Sequence, residues 1–86
     1  MILTIYETRP EERPPLVEVG TVTIGPRGTL MVSTEDEDLR VLIASLDVTA
    51  NMRRDAVSPD DPHYAEAVAD SIGRESQWLY TAELAR

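Results

Sequence analysis

The sequence predicts a two-layer α+β domain: about four mostly antiparallel strands with two helices on one face, in the order β-β-β-α-α-β. Two observations lead to this. β-forming runs joined by proline- and glycine-containing turns fill the first third of the chain, and two segments of helical spacing follow before a final alternating run. Strands followed by helices, without β-α-β alternation, indicate an α+β arrangement rather than a parallel sheet.

Ile2 to Tyr6 is a run of β-formers and reads as the first strand, apolar on both sides. Residues 8–15 hold three prolines and four charges, which suit neither a central strand nor a helix interior. They read as an exposed, stiff loop. Leu16 to Ile24 reads as the second strand, with a slip in phase. Val17 and Val19 alternate onto one face, Val22 and Ile24 onto the other, and Gly20 marks the change. A β-bulge at Gly20 brings all four side chains to one face; without one, the strand is apolar on both faces. Gly25-Pro26-Arg27-Gly28 has the composition of a type I turn whose closing glycine takes positive φ. Thr29 to Ser33 returns as the third strand of a hairpin spanning residues 16–33.

Thr34 followed by Glu37 has the spacing of a capping box, and acidic residues in a first turn favour the positive end of the helix dipole. Leu39, Leu42, Ile43 and Leu46 continue at helical spacing, predicting a first helix over 35–46. Residues 47–60 carry no clear pattern, although Met52 and Val57 are candidates to plug the core. Asp61 with Pro62 at the first helical position starts a second helix. Its apolar stripe is Tyr64, Val68 and Ile72, flanked by Ala65 and Ala69, and Gly73 suits its C-terminal cap. Gln77 to Leu84 alternates, placing Trp78, Tyr80, Ala82 and Leu84 on the inner face of a last strand.

The chain has 86 residues, enough for one small domain over 1–86. It carries 16 acidic and 8 basic residues, a net charge of −8, split evenly between its halves. That balance opposes contact with a phosphate backbone, so no direct nucleic-acid binding is expected. Cysteine is absent, which excludes disulfides, thiol nucleophiles and cysteine-ligated metals. No apolar run is long enough to span a membrane, and the start MILTIYE lacks the charged n-region of a secretory signal. A cytoplasmic protein of prokaryotic or viral origin is the expectation.

His63 and Glu66 are placed to share a metal across one helical turn, but a single histidine among solvated acids is a weak ligand set. The nucleophile-elbow, phosphate-loop and dinucleotide patterns are all missing, and no cofactor is implied. Arg53-Arg54 suits a carboxylate or phosphate clamp, and equally a solvated loop. Trp78 and Tyr80 suit a binding surface, and equally the core. The proline loop has the composition of a polyproline ligand, and equally of a rigid connection.

The leading expectation is a small acidic, non-enzymatic interaction protein of inhibitor, immunity or accessory-regulator type. It binds a protein with a basic surface through Glu35, Asp36 and Asp38. One alternative is a self-assembling module that forms a homodimer through its sheet edges. The other is a small metal-dependent enzyme built around His63.

Overall fold

A computed structural model of the chain describes residues 1–46, 58 and 60–84. Its elements are β1 (Ile2–Thr8), β2 (Leu16–Ile24), β3 (Leu30–Thr34), α1 (Glu37–Ser45), α2 (Tyr64–Glu75) and β4 (Tyr80–Leu84). The four strands form one sheet in the order β3-β2-β1-β4, and every neighbouring pair is antiparallel. This is the α+β arrangement expected from the sequence.

Alternation along β1 decides which face meets the helices. Leu3 and Ile5 are fully buried, and opposite them lie Val22 on β2 and Ala82 on β4. With Ile24 and Tyr80 they make the sheet's share of the core. Leu39 and Ile43 of α1, and Tyr64, Ala65, Val68 and Ile72 of α2, supply the other layer. The i, i+4 spacing of Leu39 and Ile43, and of Tyr64, Val68 and Ile72, puts each helix's apolar stripe on that one face. Burying each of these larger side chains contributes about 1.5–3 kcal/mol.

The phase slip in β2 is resolved by a bulge. Ile5 pairs with Gly20 but Tyr6 pairs with Glu18, so Val19 is left unmatched. The extra residue lets Val19 pack against the core while Val22 and Ile24 remain inside it. The β2–β3 turn also forms as the sequence indicates. The Gly28 N–H donates to the Gly25 carbonyl at 3.0 Å, and Gly28 has φ 81°. The Gly28 carbonyl in turn accepts the Tyr64 hydroxyl at 3.0 Å, so α2 is tied to this turn.

Both helices differ from expectation at their ends. α1 begins at Glu37 with Asp36 as its cap, because the Thr34 hydroxyl accepts the N–H of Asp36 and not one from within the helix. α2 begins at Tyr64 rather than Pro62. The Asp61 carboxylate accepts the His63 N–H at 2.8 Å, closing a turn ahead of the regular helix. At its other end α2 runs past Gly73 to Glu75. Gly73 lies within the helix and leaves room for a ring: a Cβ there would collide with the Trp78 side chain.

The last strand is shorter than the alternation suggests. Gln77 and Trp78 have φ 54° and 65°, so the chain makes a left-handed turn and β4 starts only at Tyr80. Trp78 therefore lies over Gly73, 54% exposed, and outside the core. The left-handed backbone is uncommon for a bulky residue; its contact with Gly73 gives the ring a place to settle. Met52, Val57 and the rest of 47–57 lie outside the described residues.

Replacing Gly28 tests the hairpin. A β-branched side chain resists φ near 81°. Gly28→Val is expected to cost about 1–3 kcal/mol, read as a lower thermal unfolding midpoint. An unchanged midpoint contradicts this turn geometry.

Candidate functional site

The densest acidic run, Glu35-Asp36-Glu37-Asp38, lies where β3 ends and α1 begins. Thr34 turns the chain off the sheet there. Its hydroxyl donates to the Val19 carbonyl at 2.5 Å and accepts the Asp36 N–H at 2.9 Å. Asp36 is thereby set at the start of the helix. Its Oδ1 accepts the N–H groups of Asp38 at 3.0 Å and Leu39 at 3.3 Å. Its Oδ2 accepts the Tyr80 hydroxyl at 3.0 Å. The cap thus also joins the chain leaving edge strand β3 to the opposite edge strand β4.

The acidic run consequently divides by role. Asp36 is half-buried and committed to the fold, whereas Glu35, Glu37 and Asp38 are exposed. Glu37 pairs with Arg40 at 2.8 Å, and the same guanidinium donates to the Thr34 carbonyl at 2.5 Å. Glu35 and Asp38 make no ion pair among the described residues. Glu7 faces Tyr80 across the β1–β4 pairing and holds Arg9 at 2.8 Å, adding another carboxylate beside Asp36.

Burial pushes the Asp36 carboxyl pKa up. The opposing hydrogen bonds, led by those from the Leu39 N–H and the Tyr80 hydroxyl, win and hold it below the usual 3.8. The Tyr80 phenol is shifted strongly upward, first by burial, then by its hydrogen bond to Asp36 and the surrounding negative charge. The pair is therefore an ionised carboxylate accepting from a neutral phenol.

The other candidates are less convergent. The His63 Nδ1 lies 3.5 Å from Glu66 Oε2, and both side chains are largely exposed. Asp60 and Asp61 do not join them: Asp60 takes the Ser58 hydroxyl, and Asp61 takes the His63 backbone. Among the described residues, no three potential ligand side chains stand together as a metal site. Arg53-Arg54 falls outside the described residues. The proline loop is closed by the Arg9 N–H donating to the Pro15 carbonyl at 2.7 Å, and the Glu12 N–H to the Arg9 carbonyl at 2.9 Å. Among the described residues, no helix is long and apolar enough to cross a membrane.

Sequence reasoning missed the part of Tyr80 and Glu7 in the acidic end. No local spacing reveals that Tyr80 reaches a residue 44 positions away. Comparison with protein-family models, with curated proteins and with solved structures finds no match to this chain.

The depressed pKa of Asp36 gives a pH dependence. A carboxyl whose folded pKa lies below its unfolded value adds stability above the unfolded value, and loses it as pH falls through the folded one. An asparagine in its place keeps the capping oxygen without the charge. Urea midpoints should therefore fall more steeply below about pH 4 in the native chain than in Asp36→Asn. Equal slopes would show that Asp36 is not preferentially ionised in the fold.

Proposed function

We propose that this protein is a non-enzymatic interaction module that binds a basic protein surface through the exposed acids at the start of α1. The observation carrying this reading is the division within the acidic run. Asp36 completes the local structure, while Glu35 and Asp38 project from the same turn without an ion pair among the described residues. The capped helix end fixes the backbone from which these carboxylates project, and the chain's charge of −8 adds a long-range field. Such a surface acts chiefly on encounter: it raises the association rate, and rising salt weakens it.

The variant that tests this must spare Asp36, since its loss weakens the helix and releases Tyr80. Glu35→Gln with Asp38→Asn removes two exposed charges and should change stability by less than about 0.5 kcal/mol. The native chain and this double variant are each immobilised and exposed to lysate of the source organism, with capture quantified by mass spectrometry. Basic proteins should be retained by the native chain, released near 1 M salt where the screening length is about 3 Å, and depleted on the double variant. Equal capture by both, or retention indifferent to salt, contradicts the proposal.

A further inference from the structure

The two edges of the sheet are not equivalent. At β3, the Gly25 N–H donates to the Thr29 carbonyl at 2.8 Å, so Thr29 turns its backbone groups toward β2. By alternation Met31 and Ser33 do the same, while Leu30, Val32 and Thr34 turn theirs outward. The Thr34 carbonyl is taken by Arg40. The outward groups of Leu30 and Val32 have no partner among the described residues. At β4, the Thr8 N–H donates to the Leu79 carbonyl at 2.9 Å, so Tyr80, Ala82 and Leu84 turn outward. There the Tyr80 N–H is taken by the Ser76 hydroxyl at 3.2 Å, which leaves Ala82 and Leu84.

Each edge thus offers two outward residues flanking a single position. Antiparallel self-pairing sets that middle position opposite its own copy. On β4 the middle residue is Glu83, and two carboxylates would face each other, which is unfavourable. On β3 it is Met31, a thioether 65% exposed on the sheet face away from the helices. Residues 28–34 carry no charge, although the chain as a whole carries −8. An uncharged edge strand without proline or lysine also lacks the usual protection against strand addition.

We propose that β3 is the contact between two copies of this chain, paired antiparallel about a two-fold axis at Met31. Leu30 and the partner's Val32 exchange backbone hydrogen bonds, and Met31 packs on the partner's Met31. Two four-stranded sheets become one continuous sheet. The contact is small and both copies are negative, which places it among weak, concentration-dependent interfaces. It stands on the β3 edge and not on the acidic-face reading. The decisive variant is Met31→Lys, which touches no acid.

Sedimentation equilibrium of the full chain tests the proposal between about 10 µM and about 1 mM, the range suited to a small interface. The mass should rise with concentration from 9.6 kDa toward twice that value. Met31→Lys should raise the dissociation constant at least about tenfold, by placing like charges opposite each other. Its circular dichroism and thermal midpoint should stay unchanged, because the side chain is exposed. Lysine also reduces the net negative charge, so weaker pairing cannot come from greater overall repulsion. Glu83→Lys should not weaken pairing, since it lies on the other edge and lowers the repulsion between the two negative copies. A monomer at every concentration, a dimer indifferent to Met31→Lys, or a dimer weakened by Glu83→Lys would each overturn the proposal.

Discussion

One carboxylate joins the far sides of this fold. The chain leaves the sheet at one edge, after β3, and within two residues Asp36 has capped α1 and accepted the hydroxyl of Tyr80 from the other edge. The two edges are three strand spacings apart, roughly 14 Å. Tyr80 reaches inward over β1, and the turn through Thr34 carries Asp36 to meet it. A charge-assisted hydrogen bond of this kind contributes about 1.5–3 kcal/mol, comparable with burying one more large apolar side chain. Because it also sets where α1 starts, it orients the helix that carries Leu39 and Ile43 into the core.

The same economy of hydroxyl groups recurs elsewhere. The Thr34 hydroxyl serves Val19 and Asp36, the Tyr64 hydroxyl ties α2 to the Gly28 turn, and the Ser76 hydroxyl accepts the Tyr80 N–H. These bonds link elements whose apolar contacts are few in a small domain. They also leave the two edges in different states. β4 is partly closed by Ser76 and carries Glu83, whereas the middle of β3 is uncharged and has no edge partner among the described residues.

Strong local signals made much of the fold legible in the sequence. The Gly25–Gly28 turn needs a glycine at positive φ and favours a proline ahead of it, and both residues are there. The slip between Val19 and Val22 has one geometric remedy that keeps both inside, and the register shows it. The stripes of α1 and α2 follow from spacing alone. The errors arise where distant groups compete for a local one. Thr34 and Glu37 satisfy the capping-box spacing, but the threonine hydroxyl, turned toward the Val19 carbonyl, accepts the Asp36 N–H instead, and Asp36 becomes the cap. Trp78 continues the alternation of β4 on paper. In the fold, Gly73 offers its ring a surface and the backbone turns left-handed without the glycine or asparagine that would announce it. The candidate site was legible as a cluster of acids but not as a division of labour. The choice between exposed Glu35 and committed Asp36 depends on Tyr80, far away in sequence.

A double-mutant cycle between Asp36 and Tyr80 tests the clasp most directly. Asp36→Ala, Tyr80→Phe and the double variant are compared with the native chain by urea unfolding at neutral pH. If the carboxylate and the phenol hold the two edges together, removing the second partner costs less once the first is gone. The account predicts a coupling of about 1–2 kcal/mol, within the range for residues that share a hydrogen bond. Additivity to within about 0.3 kcal/mol would contradict it, and would reduce Asp36 to an ordinary helix cap.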